Sequence, residues 1–166
     1  MVSGAMPNLP QDQFLQLDLP DAEATSRLGE ALALRLRAGD VLLLEGPIGA
    51  GKTQLARALI RARLGRAEDV PSPSFTLVQS YDARPEIWHA DLYRLSHPDE
   101  VTELGLEEAF ESAICLVEWP DRLGAQTPAT ALLLRFTLAE DAEGRVVTFA
   151  GMAPWPERLA GLGVAP

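Results

Sequence analysis

The stretch LLLEGPIGAGKTQLARALI, Leu42 to Ile60, constrains the fold more than any other part of the chain. Val41 to Leu44 is a continuous apolar run, the pattern of a strand covered on both faces. Gly46, Gly49 and Gly51 follow closely. Apolar residues then recur at helical spacing from about 52 to 64, and Gly65 supplies a C-terminal stop. The segment from Gly46 to Thr53 fits G-x-x-x-x-G-K-[ST] at every fixed position, in a strand–loop–helix context. Successive backbone N–H groups of such a loop form an anion cradle, and the helix adds its free N–H groups and positive dipole end. Gly49, Ala50, Gly51, Lys52, Thr53 and Gln54 are therefore the nucleotide-binding candidates. Lys52 is expected to reach the β- and γ-phosphates of ATP and Thr53 to offer its hydroxyl to Mg²⁺. Lys52 is also read as an exposed loop lysine whose truncation costs little stability.

A phosphate loop needs a carboxylate near the metal, usually at the end of a neighbouring apolar strand. Glu118 ends ICLVE and Asp91 ends IWHAD. Glu118 is the candidate metal residue beside Thr53. Asp91 is the candidate water-orienting group, base or outer-shell ligand, and which carboxylate is nearer the metal stays open. Lys52, Asp91 and Glu118 form the catalytic set. His89 precedes Asp91 by two residues, so both share a strand face, and it is read as tuning Asp91 or as an ordinary partly buried histidine. Trp119 packs on the nucleotide, on a partner or in the core. Arg57 and Arg61 lie four apart on the helix after the loop, as a solvated face or a phosphate or partner contact. Cys115, inside an apolar strand, reads as core.

Around this centre the pattern predicts a strand over Phe14 to Leu19 and a helix over about 22–37, capped by Asp21, with Leu28, Leu32 and Leu36 on one face. A β-rich run from Phe75 to Tyr81, a turn at 82–85 and the returning strand EIWHADLY follow. HPDEVTELGLEEAFES reads as an acidic helical stretch interrupted near Gly105, AICLVEWP as a second buried strand, and 121–129 as loop. ATALLLRFTL and RVVTFA flank AEDAEG as a hairpin. Residues 1–13 and about 155–166 read as loosely held. The expectation is one domain over 1–166 with an α/β, P-loop NTPase-like three-layer fold. Its central sheet is mixed and mostly parallel, with antiparallel hairpins.

The net charge of −10, from 14 basic and 24 acidic residues, argues against a chain that grips nucleic acid alone. Partners should hold any nucleic acid, and an acidic protein that binds polyphosphate needs a local positive site and a metal. The single cysteine excludes an intrachain disulfide and a cysteine metal cluster. No apolar stretch approaches the roughly 18 residues of a membrane span. The opening residues show no signal-peptide pattern, so a cytoplasmic location without membrane association is expected.

Together, LPDAEAT, GPIGAGKT, SPSFTLVQSY, HADLYRL and ICLVEWP make residues 20–150 resemble the bacterial TsaE (YjeE) family. The phosphate loop alone is generic; its ordered combination with the last three motifs is specific. The resemblance implies an ATPase, slow alone, that binds ATP and Mg²⁺ and acts with TsaD and TsaB in threonylcarbamoyladenosine formation in tRNA. The tRNA would be met only through the complex. The resemblance also places Thr25 near the nucleotide, Gly49 to Thr53 on phosphates, and Ser74 and Thr76 in a switch-like segment. Asp91 and Glu118 match the functional carboxylates and Trp119 the motif tryptophan. Two departures are Pro47, where the family often has an acidic residue, and Gln54, where it often has a second hydroxyl. Gln54 can still offer its backbone N–H to an α-phosphate. A small-molecule P-loop kinase and a non-catalytic nucleotide-sensing module are the alternatives. No N-K-x-D guanine signature favours a GTPase.

Overall fold

The computed structural model describes residues 9–73, 76–97, 99–140 and 143–162. Ser74, expected in the switch-like segment, lies outside the described residues. The described strands are β1 (Gln13–Leu19), β2 (Val41–Glu45), β3 (Val78–Tyr81), β4 (Ile87–Asp91), β5 (Ile114–Glu118), β6 (Leu132–Leu138) and β7 (Arg145–Ala150). The helices are α1 (Ala22–Ala33), α2 (Lys52–Leu64), α3 (Glu100–Glu103), α4 (Leu106–Ser112) and α5 (Trp155–Arg158). The strands form one mixed sheet in the order β1-β7-β6-β2-β5-β4-β3. The central β6, β2, β5 and β4 are parallel, and the pairings β3–β4, β6–β7 and β1–β7 towards the two edges are antiparallel. In β1 the register shifts between Gln13 and Leu15, a bulge near the strand's start.

The continuous apolar runs follow from cover on both faces. Leu42 and Leu44 of β2, with Ile114 and Leu116 of β5, enter a core shared with Leu28 and Leu32 of α1 and Leu55 and Leu59 of α2. Val41, Leu43, Cys115 and Val117 point the other way, into a core with Val101 of α3 and Leu106 and Ala109 of α4. This alternation is the period-2 geometry of a strand, applied twice because neither face meets water. The result is the expected α/β three-layer fold. Cys115 lies in the core, and burial pushes its thiol up to about 12. Gly29 lets α1 and α2 approach closely, since a Cβ there would stand 2.7 Å from the carbonyl oxygen of Leu55.

Several boundaries differ from expectation. Asp21 caps α1 by accepting the Ala24 N–H at 2.8 Å, but the helix stops at Ala33 rather than near 37. The Asp40 carboxylate captures the Arg37 N–H at 2.7 Å, and Arg158 donates to the Arg35 carbonyl at 2.7 Å, so the chain turns towards β2. Leu36 remains buried although it lies outside the helix. β3 begins only at Val78, after Leu77 at φ 67°. β4 ends at Asp91, where the Asp91 carboxylate accepts the Tyr93 N–H at 3.0 Å and turns the chain out of the sheet. The expected loop over 121–129 contains 3-10 turns from Pro120 to Gln126, anchored by fully buried Leu123 and broken at Gly124. Among the described residues no helix is long and apolar enough to cross a membrane.

Within the segments expected to be loose, residues 9–13 and 155–162 are held by contacts, while 1–8 and 163–166 lie outside the described residues. Leu9 is buried, and the Asp12 carbonyl accepts the Gly151 N–H at 3.1 Å. Trp155 is buried and donates from Nε1 to the Thr130 carbonyl at 2.7 Å. Arg158 stacks 4.3 Å above the Trp155 ring and donates to both Asp40 oxygens, at 3.0 and 2.5 Å. This pair is largely out of water, so breaking one side strands the other charge. Arg158→Ala is therefore expected to lower stability by about 3 kcal/mol. The exposed Arg27–Glu23 pair should contribute less than about 0.5 kcal/mol when Arg27 is truncated. Urea melts of both variants check this, and equal midpoints would show that Arg158 does not pin the tail.

Candidate functional site

Parallel β2, β5 and β4 bring their C-terminal ends to one edge of the sheet, and the phosphate loop leaves β2 there. Gly49 and Gly51 adopt φ 82° and 105°, which a side chain would strain. A Cβ on Gly46 would come within 2.7 Å of the Phe136 carbonyl oxygen on β6, so the loop can start only from glycine. Ala50 is buried beneath the loop, and its N–H reaches the Pro47 carbonyl at 3.1 Å. From β7, Arg145 donates to the Gly49 carbonyl at 3.0 Å and braces the loop from outside. Gly51 is the N-cap of α2, with no side chain to occupy the helix's first N–H groups.

Lys52 is not the exposed loop lysine expected. It is the first residue of α2 and only 4% exposed. Its Nζ donates to the Gly46 carbonyl at 2.6 Å and lies 3.7 Å from the centre of the Trp119 ring. Burial pulls its pKa down, opposed by the charges of Glu118, Asp91, Asp121 and Glu45. Trp119 adopts φ 60°, rare for a bulky residue, and its ring also meets Tyr93 at 4.9 Å between centroids.

Glu118 is 2% exposed and receives the Thr53 hydroxyl, at 2.9 Å on Oε1 and 3.1 Å on Oε2. Asp91 stands opposite Glu118 in the β4–β5 register. His89, read as tuning Asp91 or as an ordinary partly buried histidine, is fully buried, and its Nε2 lies 2.6 Å from Glu118 Oε2. Strand alternation gives His89 and Asp91 one face, but the neighbouring strand supplies the nearer carboxylate.

A cavity of about 510 Å³ opens over these groups. Gly49, Gly51, Lys52, Thr53, Gln54, Asp91, Glu118 and Trp119 all line it. Thr25 and Ala50 do not: Thr25 is buried on α1 behind Gly51, and the Gln54 side chain turns to donate to Ser26 Oγ at 2.6 Å. Thr76 is exposed and away from the cavity lining. Ile48, Tyr93 and Arg94 line it without having been singled out, and so does Ser72, where the switch-like segment expected over 72–77 begins. Tyr93 and Arg94 follow Asp91 by two and three residues, and the turn that ends β4 brings them to the cavity lining.

The residues fit a magnesium nucleotide. A buried ammonium and a helix N-terminus free of a side-chain cap suit phosphate. The Thr53 hydroxyl and the Glu118 and Asp91 carboxylates are hard oxygen donors of the kind Mg²⁺ takes, completed by phosphate oxygens and water. Among the described residues no cluster of three His, Cys, Asp or Glu could hold a metal without such help.

Residues 19–147 match the family model described as threonylcarbamoyl adenosine biosynthesis protein TsaE. The chain belongs to the TsaE family. It is 42% identical over 104 residues to the tRNA threonylcarbamoyladenosine biosynthesis protein TsaE of Rickettsia conorii, covering 62% of this chain and 59% of that relative. The match to TsaE of Nostoc sp. is 39% over 136 residues, covering 78% of this chain and 82% of the relative. The crystal structure of Bacillus subtilus YdiB is similar, with a TM-score of 0.74 and 30% identity, over 90% of this chain and 93% of that one.

Within this TsaE-family fold, Arg57 and Arg61 are half-buried and do not line the 510 Å³ cavity. Arg57 donates to the Val70 carbonyl at 3.0 Å and Arg61 to the Glu68 carbonyl at 2.8 Å, tying the segment after α2 back onto it. Truncating both arginines to alanine is expected to raise amide exchange across residues 66–70 by at least about tenfold, while amides in the middle of α2 keep their protection. Unchanged exchange across 66–70 would show that these two bonds do not hold the segment.

Proposed function

We propose that this chain is the ATP-binding and ATP-hydrolysing subunit of threonylcarbamoyladenosine formation in tRNA, acting with TsaD and TsaB. Membership of the TsaE family supports a role in that pathway. The observation that carries the ATPase reading is the Thr53–Glu118 pair at the start of α2, directly beside buried Lys52. Thr53 and Glu118 would hold Mg²⁺, which when bound neutralises phosphate charge and polarises the bond to be cleaved.

The chain's own groups divide the remaining work. Lys52 presents a desolvated positive charge where negative charge develops, which is worth more in a dry site than in water. The loop N–H groups and the α2 terminus fix the phosphates. Asp91, level with Glu118 on the next strand, would orient a water molecule or accept its proton. Trp119 and Tyr93 narrow the mouth and limit solvent entry. A kinase would need further cations for a second substrate, whereas Lys52 and Arg94 are the only Lys or Arg among the lining residues. A non-catalytic sensing module would bind nucleotide without turnover, with or without partners.

Lys52→Ala is expected to weaken ATP binding by at least about tenfold, roughly 1.4 kcal/mol. Glu118→Gln is expected to lower turnover about 100-fold while Mg²⁺-free nucleotide affinity stays near wild type. Titration with and without Mg²⁺, beside turnover and a melting curve for each variant, measures both. Wild-type values for folded Lys52→Ala would defeat the cradle assignment. An unchanged Mg²⁺ dependence in Glu118→Gln would move the metal role to Asp91.

With 24 acidic against 14 basic residues, the isolated chain is expected to bind tRNA negligibly at physiological salt. Association should appear when TsaD and TsaB are added, and should differ between ATP, ADP and no nucleotide. Filter binding of tRNA and partner pull-down in the three nucleotide states test this. Tight, salt-sensitive binding by the lone chain would overturn the charge argument.

A further inference from the structure

We propose that His89 is a positioning residue for Glu118, setting the carboxylate in the orientation in which it meets Thr53. The proposal rests on the ATPase reading above and assigns a residue that does not line the cavity. His89 is fully buried in β4, and its Nε2 stands 2.6 Å from Glu118 Oε2. In the parallel β4–β5 register His89 lies opposite Leu116 and Asp91 opposite Glu118, so the ring reaches diagonally along the sheet to the carboxylate. Thr53 holds the same carboxylate from α2. The three side chains thus form a line from the helix that starts at the phosphate loop, through β5, into β4.

Two physical points favour a positioning role over simple packing. A carboxylate as buried as Glu118 needs strong donors, and a hydroxyl shared between its two oxygens is one donor for both. The His89 ring supplies a short second donor on Oε2, which restricts rotation about the last side-chain bond. The other ring nitrogen, Nδ1, is buried without a hydrogen-bond partner among the described residues. An unpartnered buried polar atom is unfavourable, and an apolar side chain would fill the same space without it. The histidine is explained by what Nε2 does. The arrangement parallels the way outer-shell partners orient metal ligands.

The test compares His89→Leu, which keeps bulk and removes the donor, with His89→Gln, which keeps an amide donor near the position of Nε2. Affinity for a fluorescent ADP analogue is measured with Mg²⁺ and with EDTA, beside kcat, KM for ATP and a melting curve. The gain in affinity from Mg²⁺ is expected to fall about 10- to 100-fold in His89→Leu, with kcat falling in parallel. Affinity in EDTA is expected to stay within about twofold, and His89→Gln to recover most of the Mg²⁺ gain. In a Glu118→Gln background the His89→Leu effect should vanish, because the group it positions has lost its charge. If His89→Leu fails to fold, His89→Asn, polar but too short to reach Glu118, takes its place with the same expectations.

A folded donor-lacking variant with wild-type Mg²⁺ dependence would overturn the proposal. An equal fall of affinity with and without Mg²⁺ would overturn it too, since that is the mark of general loosening. Wild-type protein that shows no Mg²⁺-dependent nucleotide binding would overturn the ATPase reading, and this proposal with it.

Discussion

Val41 to Leu44 pairs in parallel with Cys115 to Glu118, and the site exists because of that pairing. Residues some 70 positions apart in the chain become neighbours, with Leu44 opposite Glu118. The phosphate loop leaves β2 beyond that point, so the start of α2 comes down beside a carboxylate from another strand. Parallel strands demand cover on both faces, which the alternating side chains of β2 and β5 meet in two separate cores. Packing and site geometry are therefore one requirement. A register slip of one residue in β5 would move Glu118 to the opposite face of the sheet and put the two cores out of step.

Charge is arranged against the trend of the whole molecule. The chain is strongly acidic, yet a lysine sits almost dry at the centre of its cavity. Desolvation works against the Lys52 charge, and Glu118, Asp91, Asp121 and Glu45 support it. Trp119 adds the negative face of its ring and adopts a left-handed backbone to do so. Such a conformation costs of order 1–3 kcal/mol and persists only where its surroundings impose it. The aromatic cover over Lys52 is part of how an acidic protein keeps a concentrated positive point in this cavity.

What the sequence revealed and what it hid divide along the range of the interactions. Apolar runs disclosed β2 and β5, the spacing from Lys52 to Gly65 disclosed α2, and turn residues disclosed the β6–β7 hairpin, because each signal is local. The end of α1 was hidden because it is set by Asp40 and by Arg158, far along the chain. Nor did composition show the anchored tail, since its prolines and glycines look the same whether or not Trp155 finds a core. Lys52 looked exposed because the ring that covers it comes from a different strand. Alternation placed His89 and Asp91 on one face correctly but could not show that Glu118, across the ladder, was the nearer group. Helical spacing put Arg57 and Arg61 on one stripe without showing that residues 66–70 fold back over it.

The bulge between Gln13 and Leu15 concerns crowding. Among the described residues β1 lies at one end of the strand order and is paired only with β7. A regular edge seven residues long could template a strand from another copy of the chain. The bulge bends the start of this edge, Asp12 and Asp18 bring charge to it, and Pro10 and Pro20 bracket it with residues that cannot donate a ladder hydrogen bond. At the far end β3 is only four residues long. Both borders of the sheet are thus poor places for another molecule to add on, so the fold carries its own brake on fibrous self-association.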